Sequence, residues 1–139
     1  MNSITAAQIK RYKNKSVPQL LKLAEHHFNR FIRERDSEDG WFRCISRGAP
    51  KSIEQMNAGH YMSAGHNGNV RFDEDNCWGQ CILCNCHLHG NLIRYRESLV
   101  RKIGEDAVKR LESISRITKK WDRLELIEII CRYKNKVKA

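Results

Sequence analysis

The sequence predicts an α+β fold, in which a small β-structured centre lies between N- and C-terminal helices. Helical periodicity dominates residues 16–36 and the C-terminal third, and it disappears between Trp41 and Asn76. Five of the six cysteines lie from Cys44 to Cys86 in the 139-residue chain, a length that suits one compact domain. We therefore expect a single domain, 1–139, with a basic helical arm at 1–40, a core at 41–104 and C-terminal helices at 105–139.

The N-terminal quarter predicts one long helix after a basic segment. Residues 1–15 are polar and basic, and they suit either a short helix or a mobile arm. Ser16 and Pro18 favour a helix start, and DSEDG at 36–40 ends the helix. Its apolar face is predicted to be Leu20, Ala24, His27, Phe28, Phe31 and Ile32.

The centre predicts a small β-hairpin. WFRCIS at 41–46 suits one short strand and NAGHYMS at 57–63 a second. The loop AGHNGN at 64–69 then leads to VRF at 70–72, which we expect to be the hairpin mate. DEDN at 73–76 indicates a turn.

Three helices are predicted after the centre. The first begins within QCILCNCHLHGN at 80–91 and ends at Gly104, because glycine favours a helix C-terminus. Asp122 and Glu125 form a capping pair for the last helix. The apolar stripes of the two later helices are Val108, Leu111 and Ile114, and Leu124, Ile127, Ile130 and Cys131.

The charge of the chain favours a polyanionic partner. It has 26 Lys and Arg against 16 Asp and Glu, a net charge of +10 and a pI near 9.6. Nucleic acid is the usual partner of such a protein, and a merely soluble basic surface is the alternative. No apolar run reaches the ~18 residues of a membrane span, and no signal peptide is recognisable. We therefore expect a cytoplasmic protein with no membrane partner and with reduced thiols.

The cysteine spacing indicates a metal site rather than disulfides. Cys81-x-x-Cys84 can place two thiolates on one tetrahedral zinc ion, with Cys44 as the third ligand. A regular second knuckle would need a cysteine where Arg47 stands. The alternative is a set of buried free thiols without metal. The fourth zinc ligand is open between Cys77, Cys86 and His87.

One histidine and one asparagine suggest catalysis. His60 follows Gly59 at the end of a predicted strand, where a neutral imidazole could take a proton from water. If a helix begins at Asn85, then Asn85 and His89 share the face that looks towards His60. An amide oxygen and an imidazole suit a divalent cation, although helix capping explains Asn85 equally well.

Five motifs resemble one known family, and the resemblance covers roughly residues 20–130. In chain order the motifs are FNRFIRERD at 28–36, CIS at 44–46, AGHY at 58–61, RFDEDN at 71–76 and QCILCNCHLHGN at 80–91. Together they resemble the NinG (Rap) family of lambda-like phages and prophages, recombination proteins that cut branched DNA. That family is similar to the HNH (His-Me finger) nucleases, so the resemblance implies a small ββα-metal core with a zinc knuckle, flanked by helices.

The resemblance also implies roles for individual residues. His60 matches the general base, Asn76 matches the asparagine that holds the histidine's loop, and Asn85 matches a metal ligand. The chain also departs from the patterns it resembles. Many family members have a cysteine where Arg47 stands, relatives can have aspartate where Asn57 stands, and many HNH enzymes carry an acid or histidine where Gly59 stands. His87, Gly90 and Asn91 match further family positions.

These inferences predict a metal-dependent DNA endonuclease. The resemblance alone implies that it acts on branched DNA, is phage or prophage encoded and works in the bacterial host. Mg²⁺ or Mn²⁺ would bind at Asn85, with His89 as a further candidate ligand, and zinc would be structural. Paired cuts at a junction would favour a homodimer. The alternative is a non-catalytic, zinc-dependent DNA-binding module. Expected phosphate contacts are Arg33, Arg35, Arg71, Arg94, Arg96 and Lys102.

Overall fold

The computed structural model describes residues 4–65 and 68–136. Its helices are α1 (Ala6–Arg11), α2 (Val17–Asp36), α3 (Leu92–Ile103), α4 (Glu105–Ile114) and α5 (Arg123–Lys136). Its strands are β1 (Ser37–Glu38), β2 (Trp41–Arg43), β3 (Pro50–Ser52), β4 (Met56–His60) and β5 (Cys77–Cys81). The predicted mixed α+β class and the three helices after the β-structured centre are confirmed. No helix among the described residues combines the length and apolar character that crossing a membrane requires.

The described chain groups into two compact units. The helical unit contains the residues up to Phe31 and those from Lys120 onward, and the central unit contains 32–119. The predicted single-domain division into arm, core and C-terminal helices stays a prediction.

In the helical unit, the aromatic rings of α2 pack on those of α5. The ring of Phe28 meets the ring of Tyr133 edge-on, with centroids 4.9 Å apart. The predicted buried face of α2 is confirmed at Leu20, Ala24, Phe28 and Ile32, whereas His27 and Phe31 are half-buried.

The start of α5 was predicted correctly, but one member of its stripe was not. The backbone N–H of Asp122 donates to Glu125 Oε1 at 3.1 Å, and the backbone N–H of Glu125 donates to Asp122 Oδ1 at 2.8 Å. Leu124 is 53% exposed, because it lies off the face that α5 buries. That face is formed by Leu126, Ile127, Ile130 and Tyr133.

The central unit contains two small antiparallel sheets. One has the order β1-β2-β3, and the other is a hairpin of β4 and β5. In the hairpin, Met56 lies opposite Cys81 and His60 lies opposite Cys77. The predicted strand over 41–46 stops at Arg43, because the chain turns at Cys44, whose N–H donates to Ala49 O.

The predicted mate of the second strand was wrong. The segment 70–72 is not a strand, and β4 pairs with β5 instead. Val70 ends a short 3-10 turn with its side chain in the core. Asp73 then caps another 3-10 turn, Glu74–Asn76, by accepting a hydrogen bond from Asp75 N, so the chain cannot continue as an extended strand.

The helix predicted to begin within 80–91 begins later, at Leu92. A single π turn occupies Leu83–His87, and the next residues interrupt helical geometry. His89, Gly90 and Asn91 all have positive φ angles, of 50°, 92° and 42°, and such angles are incompatible with a right-handed helix. The predicted helix end is confirmed, since Gly104 follows Ile103 with a φ of 93°.

The larger core of the central unit holds α3 and α4 against the loops beside the hairpin. Tyr61 and Tyr95 pack in it with ring centroids 5.5 Å apart. Its buried members are Ile45, Tyr61, Val70, Tyr95, Leu99, Val108 and Leu111.

Candidate metal and catalytic centre

Asn76 ties together the loop that follows His60. It is fully buried, and its Oδ1 accepts a hydrogen bond from Met62 N at 2.9 Å. Its Nδ2 donates to Met62 O at 3.0 Å and to Val70 O at 3.1 Å, and its backbone carbonyl accepts from Tyr61 N at 2.8 Å. The asparagine therefore fixes both ends of the segment between β4 and β5.

His60 is half-buried at the end of β4, with both ring nitrogens near neighbouring atoms. Its Nε2 lies 2.9 Å from Arg71 O, and since a carbonyl only accepts, Nε2 carries the proton in this contact. Its Nδ1, the remaining acceptor, lies 3.9 Å from Cys77 Sγ. Burial raises the pKa of Cys77 far above the usual range, so the thiol beside the imidazole stays neutral.

The residue before His60 has no room for a side chain. A Cβ at Gly59 would lie 2.0 Å from Gln80 Oε1 and 2.8 Å from Gln80 Cβ. Gln80 is fully buried, and its Nε2 donates to Ser46 Oγ at 2.9 Å and to Gly90 O at 2.6 Å. Position 59 therefore cannot hold the acid or histidine of the HNH pattern while Gln80 keeps this position.

The sequence assigned no role to Gln80 or Tyr95, and the structure has both in the centre. Tyr95 Oη donates to Gly59 O at 2.6 Å, which connects α3 to the strand carrying His60. Only the polar character of Gln80, within the otherwise apolar or cysteine-containing QCILC, sets it apart in the sequence.

The three cysteines predicted as zinc ligands lie together. The Sγ atoms of Cys44, Cys81 and Cys84 are within 4.8 Å of one another, and all three residues are buried. They come from the turn after β2, the end of β5 and the π turn, so one ion would join three segments. Cys81 N donates to Cys44 Sγ and Asn91 Nδ2 donates to Cys84 Sγ, each at 3.4 Å.

The electrostatics of this triad distinguish its thiols. Burial alone would raise the pKa of Cys81, but hydrogen bonds with Cys84 and Cys44 and the charge of Arg47 outweigh burial and lower it. Burial raises the pKa of Cys84 to about 11, against the effect of its hydrogen bond from Asn91. Arg47 therefore supplies positive charge near the Cys81 thiol, where it favours the ionised form, and is not itself a ligand.

None of the candidate fourth ligands belongs to this group. Among the described residues, only the triad brings three or more thiol, imidazole or carboxylate ligand atoms within 4.8 Å of one another. Cys77 is buried beside His60, at the opposite end of β5 from Cys81. Cys86 is exposed, with its Sγ 3.6 Å from Asn57 Nδ2, and His87 is also exposed.

Asn85 and His89 do not share a helical face, which corrects the prediction. Asn85 lies half-buried in the π turn, and His89 lies beyond it, exposed, with a φ of 50°. The positive φ angles at 89–91 end the turn before a second helical turn can form. Asn85 remains the oxygen donor next in sequence to the cysteine triad.

Three of the six cations predicted to contact DNA are held by contacts within the protein. Arg35 hydrogen-bonds to Asp36 and to two backbone carbonyls, and its guanidinium carbon lies 4.0 Å from the Trp78 ring centroid. Arg71 donates to Ala64 O, and Arg96 bonds to Glu112 and Glu105. Arg94 and Lys102 are exposed, Arg33 is half-buried, and Lys102 Nζ lies 4.9 Å from the Trp78 centroid.

The sequence of this chain is similar to those of bacteriophage proteins. A family model described as Bacteriophage Lambda NinG protein matches residues 2–139. Proteins named "Protein ninG" from Escherichia phage 933W and Salmonella phage P22 are each 40% identical over 118 residues, which are 85% of this chain and 56% of theirs. The protein of that name from Escherichia phage lambda is 39% identical, covering 85% of this chain and 55% of its own. The chain thus spans about half the length of these relatives, and no solved structure matches it.

Proposed function

We propose that this chain, which belongs to the NinG family of bacteriophage proteins, is a metal-dependent DNA endonuclease of the HNH type that acts on branched recombination intermediates. The proposal assigns phosphodiester hydrolysis to the central unit. The single observation that carries the proposal is how His60 is held, with its Nε2 at Arg71 O and the adjacent loop fixed by Asn76. The net charge of +10 supports a nucleic acid as the substrate.

His60 is held as a general base would be. Its Nε2–H is directed at Arg71 O at 2.9 Å, which leaves Nδ1 as the proton acceptor of a neutral ring. The hydrogen bonds of Asn76 to Met62 and Val70 limit the movement of the adjacent loop. In the proposed reaction, Nδ1 takes the proton of the water that attacks phosphorus.

A divalent cation would be held weakly by this chain alone. Asn85 offers a neutral amide oxygen, and Asn57 offers another where relatives can have aspartate; oxygen donors suit Mg²⁺ or Mn²⁺, which also take phosphate oxygens and water. His89 stays a further candidate ligand. Such a cation, when bound, stabilises the negative charge that develops on the phosphate and on the leaving oxygen.

Zinc at the cysteine triad would serve folding. Cys44, Cys81 and Cys84 supply three thiol ligands from separate segments, which fits a structural zinc site that lacks one protein ligand. A two-stranded hairpin buries too little surface to be stable by itself, so a joining ion would contribute directly to its stability.

A non-catalytic, zinc-dependent DNA-binding module is the second candidate. The lack of room for a side chain at Gly59 favours this binding module, because Gln80 leaves no space for an acidic residue immediately before His60. Under this alternative His60 serves only to bind Arg71 O and hold the turn.

Cleavage of a synthetic four-way junction and of a linear duplex, with Mg²⁺ or Mn²⁺, separates the candidates. The matched variants are His60→Asn and, in the helical unit, His26→Asn. An endonuclease requires that wild type and His26→Asn cut the junction faster than the duplex, while His60→Asn binds DNA without cutting. The binding module requires that all three bind and none cuts. Equal cutting by His60→Asn would contradict the proposed mechanism.

A further inference from the structure

The positive charge of the chain is concentrated in the helical unit. The residues up to Phe31 and from Lys120 onward include 12 Lys and Arg and 4 Asp and Glu, a net charge of +8. The central unit has 14 against 12, a net charge of +2. The unit that contains His60 is therefore almost neutral, and electrostatic attraction for a polyanion comes mainly from the other unit.

A cleft between α1 and α5 provides a place for an anion in this helical unit. Its volume is about 100 Å³, room for a group of the size of a phosphate. Its lining includes two cations and no carboxylate, and both cations, Arg11 and Lys134, are exposed. The lining residues are Gln8, Arg11, Tyr12, Cys131, Lys134 and Asn135.

The shape of the cleft is fixed by contacts at the end of α1. One guanidinium nitrogen of Arg123, at the start of α5, donates to Tyr12 O at 2.8 Å and to Lys13 O at 3.1 Å. Arg11 and Lys134 both lie close enough to Cys131 that their charges act on its pKa, although burial, the larger effect, raises it. Arg11 on α1 and Lys134 on α5 thus lie near the same half-buried side chain, that of Cys131.

We propose that this cleft binds a backbone phosphate of DNA. Arg11 and Lys134 supply the charge, and the side-chain amides of Gln8 and Asn135 supply neutral donors. Two exposed cations on the same helices, Lys10 and Lys136, extend the positive surface beyond the cleft. The inference deepens the proposed function, on which it rests for the identity of the polyanion. The cleft would hold the substrate's backbone and leave the chemistry to the central unit.

The test measures binding of a fluorescent duplex in buffer without added Mg²⁺ or Mn²⁺, which prevents cleavage and leaves any bound zinc in place, across about 50–200 mM NaCl. The cleft variant is Arg11→Gln with Lys134→Gln. The control, Lys15→Gln with Lys22→Gln, removes the same charge from exposed positions of the same unit that do not line the cleft. The loss of this phosphate contact should reduce the slope of log K against log salt by about 0.9, with affinity lowered on the order of tenfold at 0.1 M salt.

Equal losses in the cleft variant and the control would overturn the inference, as would a wild type that binds no duplex. If far-UV circular dichroism shows the double variant unfolded, the single variants Lys134→Gln and Lys22→Gln replace it, and Lys134→Gln should lose more affinity and more of the salt slope than Lys22→Gln. The results distinguish failure of the cleft proposal from failure of the endonuclease proposal. A wild type that cuts junctions but shows no cleft effect contradicts only the cleft, and one that shows the cleft effect without cutting contradicts only the endonuclease.

Discussion

The side chain of Gln80 occupies the space that a side chain at Gly59 would need. A Cβ on Gly59 would lie 2.0 Å from Gln80 Oε1, so the glycine before His60 is a packing requirement of the hairpin. Gln80 in turn holds Ser46 and Gly90, which lie in two other segments of the central unit.

Gly59→Ala should therefore destabilise the protein by about 1–3 kcal/mol, as overpacking does in buried sites. Gly65→Ala is the matched control, because the nearest atom to its added Cβ, Ser63 Oγ, is 3.8 Å away. Urea unfolding measures both. A Gly59→Ala protein as stable as Gly65→Ala would show that Gln80 moves aside at little cost.

Asn76→Ala should cost about 2–3 kcal/mol, because it leaves Met62 N, Met62 O and Val70 O without their buried partner. Asn69→Ala is the control, since its side-chain amide donates one hydrogen bond, to Ile114 O, and it should cost about 1 kcal/mol or less. Urea unfolding of both variants compares them. Equal costs would mean that Asn76 does not hold the loop.

Purified wild-type protein should contain about one zinc per chain, and Cys84→Ser should contain much less. Cys131→Ser, outside the triad, should match wild type. Metal analysis by mass spectrometry gives the content, and EDTA should lower the melting temperature of wild type towards that of Cys84→Ser. A wild type without zinc, with a melting temperature that EDTA leaves unchanged, would assign the triad to packing alone.

Stability should fall between about pH 10 and pH 12 through Tyr61. Burial and the hydrogen bond to Glu112 raise the pKa of Tyr61 from 10.0 to about 12. Because the folded pKa is above the unfolded one, this contribution is complete below pH 10 and is lost as the pH rises through 12. The difference in unfolding free energy between wild type and Tyr61→Phe should shrink over that interval. A difference that stays constant would contradict the raised pKa.

The features that were predicted correctly from the sequence depend on residues that lie close together along the chain. Four of the six predicted buried positions of α2 and the capping pair Asp122–Glu125 follow from spacing within a few residues, and the structure has them. The cysteine triad was predictable because only a few residue types bind zinc, and Cys81 and Cys84 have the spacing of a zinc knuckle.

What the sequence did not predict depends on contacts between distant segments. Both 70–72 and 77–81 could pair with β4, and the burial of Val70 and the turn capped by Asp73 decide the choice. The late start of α3 follows from the left-handed conformation of Asn91, which an asparagine adopts without any pattern in its neighbours. The lack of room for a side chain at Gly59 is caused by Gln80, which is 21 residues away in the chain.

The central claim is that His60 removes the proton from the attacking water. Its direct test is the single-turnover rate of junction cleavage in Mn²⁺ for wild type and His60→Ala, with and without added imidazole. The account predicts a rate lower by about 10²–10⁴ in His60→Ala, with unchanged DNA affinity and partial recovery in imidazole. A His60→Ala protein that cuts at the wild-type rate would contradict it.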